Sequence, residues 1–529
     1  MPFHFCLEQL EQKIISLKKK YPHRPTKALI SLVFWCIMYF IRAMAVQIKH
    51  LLSVNPSSNI KNKQPKILFI LGGGVGDIII ASTYLKEFYK YIGGGFLFSI
   101  RTDQRTQVVA SIFRNSPWLE SIVQESQYSD YDIVIQLSRF PRIIYKNPRL
   151  NIEKTSKIND LLDEYENFYQ VRSKLCQSTD FDTLGIMYSL MNGDTRRSQP
   201  DIGHKLGLSD ITRPIMVIKE NAFDVLTRTE IENRTYITIQ RGTNEAYKEK
   251  QNIREWSKDY YNKLVRIIHD NFPSLSIVQV GRKKSDSNLE GIDIDLRGKT
   301  SFDELKAVLK YSALHIDGEC GMVHLTHTLG GRSAVFFGQT RVDFCGYPEN
   351  INVKAKDACP LWCEWVTDDW QAQCLRGFDV PPCMEQLTPE LFFEAIREHL
   401  HDVTTEKPPR LCERDTTATP EGTLLFIGDF ADDAFNEWIR PENTLLHFSM
   451  NLTPEQINNK KSQNIDADYA DILNIPMKKN SCDAVFCSQE QNLSLYALRE
   501  VTRILKMGGV LKTPDGRSYI KELSSSQES

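Results

Sequence analysis

The stretch that most constrains the fold is KILFILGGGVGDIIIAST at residues 66–83, where a short apolar run ends abruptly in glycines. The apolar run predicts a buried strand, because strands of parallel sheets are covered on both faces. The glycines permit a tight turn and a close approach of a ligand or another backbone. The residues after the loop continue at helical spacing, so the stretch predicts the strand, loop and helix that open an α/β domain.

Asp77 lies where this glycine loop becomes the N-terminus of the predicted helix. The helix dipole stabilises a carboxylate there, and a carboxylate exposed to a cleft can serve as a catalytic base. The residue can also act only as the helix N-cap, and the stretch alone leaves both interpretations open. The spacing GGGxGD differs from the G-x-G-x-x-G of dinucleotide-binding loops, so a dinucleotide site is not indicated.

Strand-like and helical segments alternate in two parts of the chain, which predicts two parallel sheets with helices on both faces. The predicted strands are 66–71, 96–100, 133–137, 236–240, 276–280, 313–316 and 334–338, and the second unit begins near Pro214. Ligands bind beyond the carboxyl ends of such strands. Two doubly wound domains facing each other would therefore place the site in an interdomain cleft.

The composition excludes several classes of protein. With 41% hydrophobic and 25% charged residues the chain resembles a globular protein, and its 529 residues suffice for about three domains. The formal net charge of −2 argues against nucleic-acid binding, since such proteins usually carry a basic excess that neutralises phosphates.

Cysteines cluster in the segment 345–383, which is rich in tryptophan and proline. Four of them are separated by three, ten and eight residues: Cys359, Cys363, Cys374 and Cys383. Four thiolates can form a closed tetrahedral site for structural zinc or iron, which would stabilise a stretch that lacks regular packing. The alternative is that the four cysteines are reduced and purely structural. If one of the four is not a ligand, Cys345 is the substitute.

Several motifs occur in order along the two predicted domains. They are Gly72–Ser82 (GGGVGDIIIAS), Arg254–Trp256 (REW), Leu296–Gly298 (LRG) with Thr300–Leu305 (TSFDEL), and Glu319–Leu325 (ECGMVHL) with Phe336–Thr340 (FFGQT). As a set, over roughly residues 66–400, they resemble glycosyltransferase family 9, the heptosyltransferases that build lipopolysaccharide cores and their autotransporter-modifying relatives.

The resemblance implies a GT-B fold of two facing Rossmann-like domains, with the acceptor on the first domain and an ADP-heptose donor on the second. It also implies inverting transfer with no cofactor required for catalysis, and the relatives' iron-binding cysteine finger supports the metal site. The domains are expected at 1–63 (helical extension), 64–212, 213–402, 403–422 (linker) and 423–529.

The resemblance also assigns site residues. Asp77 resembles the catalytic base, and the acceptor-side loop includes Gly73, Gly74 and Gly76. The donor-side residues are Arg254, Glu319, Cys320, Gly321, Met322 and His324, with Arg241 and Thr243 as secondary candidates. The family has a lysine in place of the arginine at 254, and D-[TS]-G-x-x-H in place of the motif that begins at residue 319.

Each assignment has a structural alternative. Arg254 could be a solvated residue at a helix start, and His324 a core histidine bonded to a carbonyl. Trp256 is expected to be core packing rather than a platform for adenine. Because glutamate and cysteine replace the family's aspartate and hydroxyl residue, a donor other than ADP-heptose stays open. A non-catalytic scaffold also stays open, and it is suggested by the N-terminal and C-terminal segments described next.

The C-terminal segment resembles the second half of a class I methyltransferase, through Asp471–Pro476, Ser481–Cys487 and Leu498–Gly509. In that family an acidic residue near Asp471 lies by the adenine. The first half fits poorly, because Leu424–Asp433 has one glycine where the methyl-donor loop needs several. The chain also ends soon after Gly509, without the usual final strands. The segment is therefore expected to be a truncated, inactive α/β module used for oligomer contacts or acceptor docking.

Residues 1–63 are basic and apolar, and Ala28–Ile41 is an apolar run of fourteen residues. A membrane span needs about 20 residues. Two interpretations stay open: an interfacial helix on the inner face of the plasma membrane, or a helix packed on the protein or on a sister subunit. The expected location is the cytoplasm, and the expected acceptor is a hydroxyl of a surface glycan, a lipid-linked saccharide or a protein.

Overall fold

The structure is a computed structural model that describes residues 65–93, 96–102, 105–137, 142–147, 157–163, 166, 214–242, 253–283, 287–356, 359, 363, 372–405, 409–414, 420–488 and 493–523. These residues form three β-sheets. We call the described residues up to 166 the first lobe, those from 214 to 405 the second lobe, and those from 409 to 523 the C-terminal module. The domain boundaries given above stay a prediction.

The first lobe contains β1 (Lys66–Leu71), α1 (Val75–Ile92), β2 (Leu97–Arg101), α2 (Thr106–Ile112), β3 (Leu119–Val123), β4 (Ile133–Leu137) and β5 (Arg142–Lys146). Its sheet has the order β3-β2-β1-β4-β5, with β5 antiparallel and the other pairs parallel. The central strand β1 buries Ile67, Leu68 and Phe69 completely. The predicted strands and the helix after the glycine loop are confirmed here.

The second lobe contains α3 (Asp224–Arg228), β6 (Tyr236–Ile239), α4 (Lys258–Asn271), β7 (Ser276–Gln279), β8 (Ile294–Asp295), α5 (Phe302–Tyr311), β9 (His315–Gly318), α6 (Gly321–Thr328), β10 (Ser333–Phe337), α7 (Val342–Cys345), β11 (Ile351–Lys354), α8 (Pro382–Glu385) and α9 (Pro389–Thr405). Its sheet is parallel, in the order β11-β10-β9-β6-β7-β8. The TSFDEL motif proves to be a capping box for α5. Ser301 Oγ accepts the Glu304 N–H, and the Glu304 carboxylate accepts the Ser301 N–H.

The C-terminal module contains β12 (Pro409–Glu413), β13 (Thr423–Ile427), β14 (Thr444–Phe448), α10 (Pro454–Ser462), β15 (Ile465–Asp468), β16 (Cys482–Cys487), α11 (Leu495–Ile504), β17 (Leu505–Lys512) and β18 (Ser518–Leu523). Its seven strands are ordered β12-β18-β17-β16-β13-β14-β15. The expected lack of final strands is therefore corrected. The antiparallel strand β18 pairs with β17, and β12, from the start of the module, pairs with β18.

The lobes are joined by polar contacts and by a shared core. Asp303 at the start of α5 accepts hydrogen bonds from Ser111 Oγ at 2.6 Å and from Arg114 at 2.8 Å in the first lobe. One apolar cluster runs from Phe69 in β1 through Leu309 in α5 to Tyr469 in the C-terminal module. The three sheets are thus parts of one packed body rather than independent units.

The apolar run 28–41, for which a membrane contact is expected, lies outside the described residues. Among the helices that the structure does describe, none is both long enough and apolar enough to cross a bilayer.

Candidate functional site

The carboxyl ends of the first and second sheets meet at a contact between two glycines. The loop after β1 leads into α1 through Gly76, and the loop after β9 leads into α6 through Gly321. A Cβ atom on Gly76 would lie 2.6 Å from His324 Cδ2, and one on Gly321 would lie 3.0 Å from the Gly76 nitrogen. A side chain on Gly76 would clash with His324, and one on Gly321 would press on the α1 backbone, and we call this contact the lobe junction.

Asp77 lies next to the lobe junction, in the first turn of α1. Its Oδ2 accepts the Gly74 N–H at 2.6 Å, and the side chain is half-buried. The Arg105 guanidinium donates to the Gly73 carbonyl on the same loop. The N-cap of α1 is therefore Gly74, and Asp77 is the third residue of the capping box rather than the N-cap considered from the sequence. Its bond to the Gly74 N–H fixes the carboxylate beside the junction. The catalytic role of Asp77 stays a prediction.

Arg254 and Glu319 form an ion pair on the second-lobe side of the junction. The Arg254 guanidinium donates to the Glu319 carboxylate and to its carbonyl oxygen, the latter at 2.6 Å. The two side chains are 16% and 5% exposed, so water screens the pair poorly. The structure thus brings together two residues that the resemblance assigned separately to the donor side.

The two secondary donor-side candidates are Arg241 and Thr243. Arg241 pairs with Glu255 at 3.1 Å, and Thr243 lies outside the described residues.

Cys320 caps α6. Its Sγ accepts the Met322 N–H at 3.4 Å and donates to Asp317 Oδ2 at 2.8 Å. Burial raises the pKa of the Cys320 thiol, and the charge of Asp317 raises it further, so the group stays a thiol at neutral pH. The sulfur therefore does the capping that a serine or threonine hydroxyl would do at this position.

His324, at the end of the first turn of α6, is hydrogen-bonded to Tyr347 and lies near Glu319. Its Nδ1 is 2.6 Å from the Tyr347 hydroxyl, and its Nε2 is 4.0 Å from Glu319 Oε1. The ring is buried and packs edge-on against Tyr347. Tyr347 could not be predicted from the sequence, because nothing in a lone tyrosine 23 positions after the histidine marks it as a partner. Trp256 stacks on Phe336 with centroids 4.8 Å apart, which confirms it as core packing.

The four predicted metal ligands converge on one pocket, which is lined by Cys359, Cys363, Cys374 and Cys383. Burial, together with the charges of the neighbouring thiols, raises the pKa of Cys363 to about 12 and that of Cys383 to about 11. Bound zinc or iron would counter that mutual repulsion, so the chemistry of the donor set fits such an ion. Within the described part of the chain, however, no three His, Cys, Asp or Glu side chains are spaced as a metal-binding group.

The junction combines groups that suit transfer of a chemical group to an acceptor with departure of an anionic leaving group. A half-buried carboxylate lies on the first-lobe side, where it could accept a proton. A guanidinium and the positive end of α6 lie on the second-lobe side, where they could bind phosphate oxygens.

Comparison with known proteins gives one family match. Residues 193–367, about a third of the chain, match the model of glycosyltransferase family 9 (heptosyltransferase). That segment contains Arg254 and the whole of α6, whereas the glycine loop and Asp77 lie outside it. No curated protein sequence matches the chain.

Solved structures add distant likenesses. Escherichia coli ADP-heptose LPS heptosyltransferase II has 13% identity, with 64% of this chain and 99% of that chain covered and a TM-score of 0.37. The iron-containing dodecameric glycosyltransferase TibC from enterotoxigenic E. coli has 12% identity, with 65% and 81% covered and a TM-score of 0.43. A protein proposed to be a sarcosine dimethylglycine methyltransferase, from Galdieria sulphuraria, has 23% identity, with 18% and 38% covered and a TM-score of 0.16.

Proposed function

We propose, from the premise that this chain is a glycosyltransferase with a family 9 (heptosyltransferase) segment, that it transfers a heptose from ADP-heptose to an acceptor hydroxyl with inversion at the anomeric carbon. The observation that best supports this is the lobe junction, where Gly76 of the first lobe contacts Gly321 and His324 of the second. A sugar diphosphate bound there would lie between the carboxylate of Asp77 and the cation of Arg254.

Asp77 is the proposed base. As the acceptor oxygen attacks the anomeric carbon, that oxygen loses its proton to the carboxylate, the new glycosidic bond forms, and the bond to the diphosphate breaks. The electron pair of the broken bond leaves with the phosphate oxygen as ADP. The hydrogen bond from the Gly74 N–H supports this role, because it holds the carboxylate in one orientation at the junction.

Arg254 and the start of α6 are the proposed diphosphate site. A guanidinium offers several N–H donors in a planar fork, and the first amides of a helix bind anions. Glu319 also draws on this cation, so the donor diphosphate must compete with its carboxylate for Arg254. The buried pair keeps the guanidinium in place at the helix start before the donor arrives.

Turnover of ADP-heptose by the purified full-length chain tests the proposal. In the presence of acceptors from a cell lysate, we expect ADP release and a product whose mass increases by one heptose. Nuclear magnetic resonance of that product should show the anomeric configuration opposite to that of the donor. Retention of configuration would contradict the role of Asp77, and a lack of any binding of ADP-heptose would contradict the donor.

A second candidate is transfer of another sugar from a nucleotide diphosphate. Glu319 favours this alternative. Its side chain is longer than that of the aspartate usual in the family, so it reaches Arg254 and changes the polar surface beside α6. Calorimetric competition between ADP-heptose and other nucleotide sugars decides between the two candidates. Tighter binding of a non-heptose donor would replace the first.

We also propose that the four pocket cysteines hold a structural iron or zinc ion through their thiolates. The convergence of the four side chains on one pocket supports this proposal. The bound metal would tie the segment 359–383 together and would take no part in the transfer. Elemental analysis of purified protein should find one equivalent of iron plus zinc, and a chelator should lower the melting temperature. A melting temperature unaffected by metal removal would show that the cysteines act as ordinary core residues.

The cellular setting is a further part of the proposal. We place the protein in the cytoplasm, with residues 1–63 in contact with the inner face of the plasma membrane or with a sister subunit. Co-sedimentation with anionic lipid vesicles should be lost when residues 1–63 are removed, if the contact is with the membrane. Loss of oligomers on the same truncation, with no effect on vesicle binding, would favour the subunit contact.

A further inference from the structure

Side chains of the C-terminal module hydrogen-bond to one another across the carboxyl edge of the third sheet. In a doubly wound sheet this edge is where a ligand binds. Here the Asp429 carboxylate, just beyond β13, accepts hydrogen bonds from Ser449 at 2.5 Å and from Asn451 at 2.7 Å, both just beyond β14. The Asp429 N–H donates to Ser488 beyond β16 at 3.1 Å. The ends of three neighbouring strands are thus bonded to one another.

The next strand end is bound to the first lobe. Asp468, the last residue of β15, accepts a hydrogen bond from Lys86 at 2.9 Å and pairs with Lys90 at 3.2 Å. Both lysines belong to α1. The Lys86 side chain is 3% exposed and also pairs with Glu87 at 3.3 Å. A lysine buried this deeply needs a carboxylate partner, and the C-terminal module supplies one.

The opposite side of the module is bound to the second lobe. Glu500 in α11 pairs with Lys310 in α5 at 3.0 Å, and both side chains are almost fully buried. Asn474 Nδ2 donates to the carbonyl of Thr328, the last residue of α6, at 3.4 Å. In addition, Tyr496 stacks on Phe223 with centroids 4.1 Å apart. Polar contacts therefore connect the module to α5 and α6, and an aromatic contact connects it to Phe223, just before α3.

We propose that the C-terminal module is an intramolecular brace that holds the two lobes at the lobe junction, and that its carboxyl edge does not take S-adenosylmethionine. Asp468 holds α1, the helix that begins at the junction on the first-lobe side. Glu500 and Asn474 hold α5 and α6, and α6 begins at the junction on the other side. This inference concerns lobe positions only, so it does not depend on the sugar or the acceptor proposed above.

Hydrogen–deuterium exchange on the full-length chain tests the brace. In the double variant Asp468→Asn, Glu500→Gln we expect faster exchange at residues 72–92 and 318–330, while β13 and β16 stay protected. The control Asp515→Asn changes a carboxylate whose partners, Thr513 and Arg517, lie within the module, and it should leave both segments unchanged. Unchanged exchange at both segments in a folded double variant would overturn the brace.

A milder variant keeps this test decisive if the double variant does not fold. Lys90→Gln removes the more exposed of the two lysines and leaves the bond between Lys86 and Asp468 in place. We expect it to speed exchange at residues 72–92 and not at 318–330, because only the first-lobe contact is weakened. Exchange that rises equally in both segments, or in neither, would contradict separate contacts with the two lobes.

Calorimetry with S-adenosylmethionine tests the second half of the proposal. The full-length chain should give no saturable heat of binding, because Ser449 and Asn451 already bind Asp429 and lysines bind Asp468. Saturable binding that is lost in Asp429→Ala would show that the edge is a working cofactor site and would overturn the assignment.

Discussion

The first sheet and the third sheet share a strand order but differ in what lies at their carboxyl edges. Around the central strand the orders are β3-β2-β1-β4-β5 and β15-β14-β13-β16-β17. Beyond β1 lie four closely spaced glycines and the first turn of a helix from the other lobe. Beyond β13 lie one glycine and Asp429, which is bound by Ser449 and Asn451. The same strand order thus gives both sheets a carboxyl edge of the kind where ligands bind. The two edges differ in the few residues that lie at the strand ends.

The largest expected difference between the two edges concerns their carboxylates. Asp77→Asn should lower the rate of sugar transfer by about 10²–10⁴-fold, the usual contribution of a general base. Asparagine keeps a side-chain oxygen that can accept the Gly74 N–H, so the free energy of unfolding should change little. The matched variant Asp429→Asn should leave transfer unchanged. Steady-state rates for the two variants check this, and normal turnover by Asp77→Asn would remove that residue from the mechanism.

The next largest effect concerns the stability contributed by the contact between α1 of the first lobe and the end of β15 in the C-terminal module. Lys86→Met removes the more buried of the two lysines and leaves Asp468 and Glu87 to share Lys90, so it should cost about 1.5–3 kcal/mol of unfolding free energy, the usual contribution of a hydrogen bond to a charged group. Lys506→Met breaks the more exposed pair with Asp483 and should cost about 0–1 kcal/mol. Urea unfolding of both variants measures the difference. Equal costs would mean that the contact between α1 and the module contributes no more than a surface pair.

A pair of glycine substitutions sharpens the comparison further. Gly76→Ala places a Cβ atom 2.6 Å from His324 Cδ2, so His324 or the facing loops must shift, and transfer should fall on the order of 10²-fold. Gly428 has a φ of +104°, so Gly428→Ala should cost about 1–2 kcal/mol of stability through backbone strain. It should leave transfer intact. A large loss of transfer in Gly428→Ala would show that the carboxyl edge of the third sheet takes part in the reaction.

The smallest effect is confined to acid pH and involves Glu500. Burial opposes its ionisation, but Arg503 and Lys310 outweigh burial and lower its pKa from 4.5 to about 2. Because the folded pKa is the lower one, the contribution of Glu500 to stability is present above about pH 4.5 and is lost as the pH falls toward 2. Glu500→Gln should therefore flatten the dependence of unfolding free energy on pH in that window. An unchanged slope would contradict the strength of the Glu500–Lys310–Arg503 contact.

Strands that carry continuous apolar runs could be predicted from the sequence. The runs at β1, β4 and β10 have few polar residues, since parallel strands are covered on both faces. The short edge strands β8 and β11 were missed, because Ile294–Asp295 and Ile351–Lys354 lack such a run. The final strands β17 and β18 were missed although they pair as neighbours in the chain and Asp515–Gly516, a usual hairpin signal, lies between them. The pairing of β12 with β18 joins the two ends of the module and leaves no local pattern.

The candidate site could be predicted only in part. The glycine loop and the ECGMVH motif are local patterns, and the structure brings them together at the lobe junction. The pair of Arg254 and Glu319 joins residues 65 positions apart, and the bond between Asp468 and Lys86 joins residues 382 apart. Neither spacing is periodic, so these contacts follow from packing of the lobes and the module and not from any sequence signal.

A crystal structure of the full-length chain with bound ADP tests the central claim most directly. We expect the diphosphate to lie within hydrogen-bond distance of the Arg254 guanidinium and of the first amides of α6, across the lobe junction from Asp77. ADP bound at the carboxyl edge of the C-terminal module, or with its diphosphate away from Arg254 and α6, would contradict the proposed site.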